Sequence, residues 1–312
     1  MQNENIKYTI AIPAFKKQYL KECIDSALNQ SYRNFEIIIV NDASPENLDQ
    51  IVNQYSDSRI HYYRNEIGFG GYNVVDNWNK CLEYATGDYI ICMGDDDKLL
   101  PNCLYDYTHL IYKYPQLDVY HTRTEIIDEN SNVYNIQEAR PEVESVYSMM
   151  WHRWHGRIQY IGDFLFKTNT LRKNNGFFSL PTGCCSDEIS AYIAAGKKGI
   201  ANTLVPGFQY RNNRYTLSNC SNNMRGKLQA FLLAKEWYVS FFENQKPQTR
   251  LDKTYYNFLI KQLNGYIATN VDYCIRRDIQ TGGLNNSIYW FKNRREFNIS
   301  IKYIFYNLLK RN

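Results

Sequence analysis

Asp88-Tyr-Ile-Ile-Cys-Met-Gly-Asp-Asp-Asp-Lys-Leu-Leu-Pro101 is the stretch on which the reading of the chain turns. Its first half, to Met93, is an apolar run of strand length. Its second half places three carboxylates at the strand's carboxyl end, just before a proline. Carboxylates crowded there have no packing role and repel one another unless a cation lies between them. Mg2+ or Mn2+ suits such a place, because these ions take one or two protein carboxylates and complete their shell with phosphate oxygens. The plainer alternative is that Asp95, Asp96 and Asp97 only supply negative charge at the start of the helix that follows.

Upstream, Tyr8 to Ile12 is another β-branched and apolar run, closed by Pro13. A helical pattern follows, with Leu20, Cys23, Ile24, Ala27 and Leu28 on one face. Phe35 to Val40 is a third run, ending in Asn41-Asp-Ala-Ser-Pro45, after which a helix is expected over about Glu46 to Tyr55. Ile60 to Arg64 reads as a short strand and Tyr72 to Ala85 as a helix. Alternation of this kind predicts an α/β fold, a mostly parallel sheet with helices on both faces and ligands beyond the carboxyl ends of its strands. Asp42 would then open on the same edge as Asp95 to Asp97, unless Asn41 to Ser44 simply caps a helix.

Past Pro101 a helix is expected to about Tyr114, then a strand over Leu117 to Thr122 and a hairpin around Asp128 to Asn132. Residues Trp151 to Arg157 form an aromatic and basic cluster that suits a loop-rich pocket or ordinary packing. Another helix is expected from Asp187 to about Ala195. From Met224 onward, periodic aromatic and aliphatic residues interleaved with Lys and Arg predict three helices. The expected division is 1–222, with a nucleotide-binding half at about 7–120 and an acceptor half at about 121–222, followed by a helical C-terminal extension, 223–312.

Composition narrows the function classes. With 312 residues and 44% hydrophobic content the chain can bury a full core, and 36 Lys+Arg against 32 Asp+Glu give only +4, too little to imply nucleic-acid binding. Eight scattered cysteines show neither a zinc spacing nor a dense disulfide framework, so a reducing cytoplasm is expected. The first residues carry no signal-peptide pattern, and no apolar run reaches the roughly 20 residues of a spanning helix.

Five ordered segments carry a family resemblance: Thr9-Ile-Ala-Ile-Pro-Ala-Phe15, Leu20 to Gln30, Phe35-Glu-Ile-Ile-Ile-Val-Asn-Asp-Ala-Ser44, Gly87-Asp-Tyr-Ile-Ile91 and Gly94-Asp-Asp-Asp-Lys-Leu-Leu-Pro101. Together they resemble the nucleotide-binding half of family-2 inverting glycosyltransferases. The resemblance implies a GT-A fold, a Rossmann-like sheet, and transfer of a sugar from a nucleotide diphosphate donor, with a UDP-sugar favoured. It implies that Pro13 and Phe15 line the nucleobase pocket and that Asp42 accepts a base N–H. Asp95 would approach the ribose or the metal, and Asp96 would be the main ligand of a Mn2+ or Mg2+ ion, with Asp97 beside it. Asn65, Gly68, Asn77, Trp78 and Asn79 resemble the polar segment that reaches ribose or phosphates. Tyr210-Arg211-Asn-Asn-Arg214 resembles a loop that closes Arg211 and Arg214 over the phosphates.

Inverting transfer needs a carboxylate within reach of the acceptor hydroxyl. Here the resemblance points to Asp187, with Glu188 as the second choice and N-terminal helix charge as the plain alternative. The acceptor would be a saccharide or lipid-linked saccharide, by analogy with surface polysaccharide assembly. The basic and aromatic C-terminal helices suit either peripheral contact with the inner face of a membrane or simple cover for the catalytic domain. Two other readings stay open. One is a non-catalytic nucleotide-sugar or carbohydrate-binding module. The other is a sugar-1-phosphate nucleotidyltransferase, although residues 11 to 20 contain no glycine. A dinucleotide oxidoreductase is disfavoured, because the nearest glycine-rich run, Gly68 to Gly71, follows the third strand and not the first.

Overall fold

The computed structural model describes residues 5–213, 216 and 223–310. The chain forms two compact units, Met1–Ser179 with Ser186–Asn213, and Leu180–Cys185 with Arg214–Asn312.

The first unit is built on a ten-stranded sheet. Its elements run in the order β1 (Tyr8–Ala14), α1 (Leu20–Leu28), β2 (Phe35–Asn41), α2 (Asp49–Val52), β3 (Ile60–Arg64), α3 (Val74–Tyr84), β4 (Tyr89–Cys92), β5 (Lys98–Leu99), α4 (Cys103–Lys113), β6 (Val119–Ile127), β7 (Val133–Ile136), β8 (Val143–Glu144), α5 (Val146–Trp154), β9 (Phe164–Lys167), α6 (Thr168–Lys173), α7 (Ser186–Ala195) and β10 (Ile200–Arg211). The strand order is β3-β2-β1-β4-β9-β6-β10-β5, with β7 on β6 and β8 on β10. β1, β2, β3 and β4 are mutually parallel. Beyond them β9 runs antiparallel to both β4 and β6, while β6 and β10 are parallel to each other.

β1, β2 and β4 are buried almost throughout, as their unbroken apolar runs require of strands covered on both faces. Residues from α1 and α4, among them Leu20, Ile24, Leu104 and Tyr107, join Ile10, Ile37 and Ile91 of the sheet in one core.

Three elements differ from expectation. α2 covers only Asp49–Val52, because Ser44 N–H donates to Asn41 Oδ1 and Glu46 N–H to Ser44 Oγ, so the chain turns before it can coil. β6 is longer than expected, reaching Ile127 through pairing with β10 and β7. The aromatic and basic cluster begins on the last turn of helix α5, Trp151 to Trp154, and runs past its end to Arg157; the helix N-terminus is capped by Ser145. The hairpin between β6 and β7 does turn at Asp128, whose carboxylate accepts the Asn130 and Asn132 N–H groups.

The second unit contains α8 (Met224–Asn244), α9 (Arg250–Asn293), broken at Gly283, and α10 (Ile301–Leu309). Leu228, Cys274, Ile275, Ile279, Trp290 and Ile304 form its core. The seven described cysteines are all free thiols. No described helix is long and apolar enough to cross a membrane.

Candidate active site

β1 lies between β2 and β4, so the three strands release their chains on one edge of the sheet. Asp42 follows the end of β2, and Asp95 to Asp97 follow β4 after Met93 and Gly94. The backbone of one residue joins the two loops. Phe15 N–H donates to Asp95 Oδ2 at 2.6 Å, and the Phe15 carbonyl accepts Ser44 Oγ. The Phe15 ring is left 44% exposed, free to offer a face to a planar ligand. Pro13 is partly buried beside it in the chain.

The three aspartates differ in what they can do. Asp95 accepts both Phe15 and Lys16 N–H on Oδ2, at 2.6 Å each, so it pins the loop after β1. The expectation is that Asp95 approaches the ribose or the metal; its Oδ2 is taken by the loop after β1. Asp97 Oδ1 accepts Arg211 N–H at 2.9 Å, and Asp96 Oδ2 accepts Asn213 Nδ2 at 3.1 Å. The other oxygen of each aspartate faces a common gap: a Cβ placed on Gly94 would lie 2.9 Å from Asp97 Oδ2 and 3.0 Å from Asp96 Oδ1. A side chain at position 94 would crowd that gap.

Burial pushes Asp95 up to about 6, with the charge of Asp96 adding to it. Burial likewise raises Asp96, against the pull of Lys16, and drives Asp97 well above the carboxylate range, helped by Asp96. The donor set therefore fits a hard cation, which would relieve the crowding. Among the described residues no group of three or more His, Cys, Asp and Glu side chains forms a metal cage. A cation at Asp96 and Asp97 would take its remaining ligands from a bound diphosphate.

Asp42 is buried and well satisfied. Oδ1 accepts Asn65 Nδ2 at 3.1 Å and Phe69 N–H at 2.8 Å, and Oδ2 accepts Gly70 N–H at 2.9 Å. A carboxylate offers about four acceptor positions, so one remains for a ligand N–H. Asn77 donates to the Val40 carbonyl and accepts from Asn65, while Asn79 bonds the Phe177 backbone in both directions and Trp78 packs edge-on against Phe177. These three residues brace the scaffold.

Arg211 is a correction. It is the last residue of β10, not part of a loop, and its side chain is fully buried. Nε donates to the Asp96 carbonyl at 2.8 Å, Nη1 to the Asp128 carbonyl at 3.1 Å, and Nη2 pairs with Glu22 at 2.9 Å. Its fork supports the aspartate loop from within the protein and is not available to close over phosphates. Arg214 lies outside the described residues.

Asp187 and Glu188 open α7. Glu188 is fully buried and accepts Arg153 Nε at 2.6 Å, whereas Asp187 stays partly exposed. Burial, then the charge of Glu188, pushes Asp187 up to about 7, with Arg153 pulling the other way. The sequence reading passed over Lys16, Asn213 and the Phe69 and Gly70 amides. The last two carried a signal, the glycine-rich run Gly68 to Gly71, which begins three residues after Asn65, the residue that follows β3.

An α/β sheet with a cluster of aspartates beyond its parallel strands, closed by antiparallel strands, is the GT-A architecture of nucleotide-sugar-dependent transferases. The model of glycosyl transferase family 2 matches residues 9–185, and the chain belongs to that family. It is 28% identical over 169 residues to an uncharacterized glycosyltransferase of Rickettsia typhi, covering 51% of each chain. It is 35% identical over 101 residues to the GalNAc(5)-diNAcBac-PP-undecaprenol beta-1,3-glucosyltransferase of Campylobacter jejuni, covering 31% of this chain and 32% of that one. The chain thus spans about half the length of the Rickettsia relative and less of the Campylobacter one. Among solved structures, S. aureus TarS 1-349 in complex with UDP-GlcNAc shares the fold with a TM-score of 0.63 at 15% identity, over 88% of this chain and 82% of that one.

Proposed function

We propose that this chain is an inverting glycosyltransferase that moves a sugar from a nucleoside diphosphate donor, UDP-sugar by preference, to the hydroxyl of a saccharide or lipid-linked saccharide. The observation that carries the reading is the Phe15 backbone, whose N–H bonds Asp95 and whose carbonyl bonds Ser44, joining the two acid-tipped loops into one cradle.

Phe15 stacks on the base and Asp42, its charge held by three donors, accepts a base N–H with its remaining position. Asp96 and Asp97 would hold a Mn2+ or Mg2+ ion, which when bound would supply charge stabilisation to the departing diphosphate. Asp187, poised near neutrality, takes the proton of the attacking hydroxyl. The UDP-GlcNAc bound by the TarS structure of this fold supports the choice of base, and the undecaprenol-linked substrate in the Campylobacter relative's name supports a lipid-linked acceptor.

The catalytic part is assigned to residues 1–222, with 223–312 as an extension. Ile301, Phe305 and Leu309, one apolar stripe of α10 exposed by 43%, 59% and 85%, lie among Lys302 and Lys310 and suit peripheral contact with an anionic inner membrane surface. The test is release of nucleoside diphosphate from a panel of nucleotide sugars, with and without Mn2+ and acceptor. UDP release that needs both, and that falls by about 10²-fold or more in Asp187→Asn, is expected. Nucleotide binding with no turnover of any sugar would favour a non-catalytic binding module.

A further inference from the structure

Glu188 and Arg153 make an ion pair that the proposed chemistry does not use. Glu188 is fully buried, and Arg153, in the last turn of α5, donates to it through Nε at 2.6 Å. Arg153 is itself held, its Nη1 donating to the Arg157 carbonyl at 3.1 Å. Arg157 in turn grips both oxygens of Glu144 through Nη1 at 2.8 Å and Glu138 through Nε at 2.8 Å. Ser148 Oγ, from the first turn of α5, donates to Glu144 at 2.9 Å. Thus both ends of α5 are fixed, and Arg153 enters α7 from a rigid base.

An ion pair with a fully buried carboxylate seldom stabilises a fold more than apolar residues of the same shape would, so stability alone is a poor reason for this one. Its place suggests another. Successive residues on a helix point about 100° apart, so drawing Glu188 inward onto Arg153 sets the rotation of the first turn of α7 and leaves Asp187 on the partly exposed side. We propose that Arg153 and Glu188 are positioning residues for Asp187: the pair orients the first turn of α7 and places a negative charge beside the proton-accepting carboxylate. This rests on the reading of Asp187 as the base. The groups facing Asp187 are Glu188 on its own helix, Arg153 from α5 and Asp163 from the turn before β9. Glu188 and Asp163 favour the protonated acid, and Arg153 opposes them.

The test is the pH profile of kcat/KM for the full chain. Glu188→Gln keeps the shape and the Arg153 charge but removes the negative neighbour, so turnover persists and its acidic limb moves about one pH unit lower. In Arg153→Gln/Glu188→Gln both charges are gone, and the limb lies above that of Glu188→Gln alone. Arg153→Lys, on a partly exposed side chain that tolerates change, keeps the charge but loses the fork. It is expected to lower kcat several-fold with KM for the donor unchanged, and it carries the test if the buried Glu188 variant does not fold. A Glu188→Gln profile superposed on wild type, an Arg153→Lys enzyme with wild-type kcat, or a Glu188→Gln enzyme as inactive as Asp187→Asn would each overturn the proposal. Full turnover by Asp187→Asn would remove the base itself, a separate outcome.

Discussion

A methyl group on Gly68 would sit 2.5 Å from the Asp42 carbonyl oxygen, closer than any real Cβ approaches backbone. The loop after β3 can fold back on Asp42 only because that position is glycine, and the fold-back delivers the Phe69 and Gly70 amides to the Asp42 carboxylate. Gly68→Ala is therefore expected to weaken UDP binding about tenfold or more, ~1.4 kcal/mol, measured by calorimetric titration. Its melting temperature should change little, since Asp42 lies outside the core strands. Arg211 makes a contrasting case. Removing a buried guanidinium that serves the Asp96 and Asp128 carbonyls should cost ~2–4 kcal/mol of folding stability in Arg211→Met, read by urea unfolding. A phosphate-contact role would instead lower donor affinity at unchanged stability. Sequence alone marked both residues as notable, but whether an arginine faces ligand or protein depends on where β10 ends, and the residues that fix that end, Glu125 to Ile127 on β6, are more than 80 positions away.

Among the elements, the seam of β1, β2 and the turn before β4 is closed by Glu36. Burial by itself would raise its carboxyl, but hydrogen bonds from Lys7, Thr86 and Thr9 outweigh burial and bring it down to about 2. A carboxyl lowered on folding adds stability above its ordinary value near 4.5, and loses it as pH falls toward the folded value. Glu36→Gln should thus cost ~1–3 kcal/mol at pH 7 and progressively less between pH 4.5 and pH 2, as denaturant titrations across that range would show. β1, β2 and β4 were legible from their apolar runs, because a strand buried on both faces writes its position into every residue. α2 was not, since its shortness comes from side-chain bonds of Asn41 and Ser44 that compete with the helix. The antiparallel insertion of β9 between β4 and β6 was equally hidden, being a pairing over more than 40 residues.

At the scale of the whole molecule, the α/β order and the helical C-terminal part were readable from periodicity. The assignment of Leu180–Cys185 to the second unit was not, because nothing in that short segment's composition separates it from its neighbours. If the stripe on α10 meets an anionic surface, the chain should sediment with vesicles containing phosphatidylglycerol, and Phe305→Ser/Leu309→Ser should lose most of that binding. The account as a whole rests on a cation and a nucleoside diphosphate sharing the edge of β1, β2 and β4. Calorimetric titration of UDP into the wild-type chain and into Asp96→Asn, with and without Mn2+, measures that sharing directly. Binding that is strengthened by Mn2+ in the wild type and indifferent to it in Asp96→Asn is the result expected, and equal Mn2+ dependence in the two, or no binding of UDP at all, would contradict it.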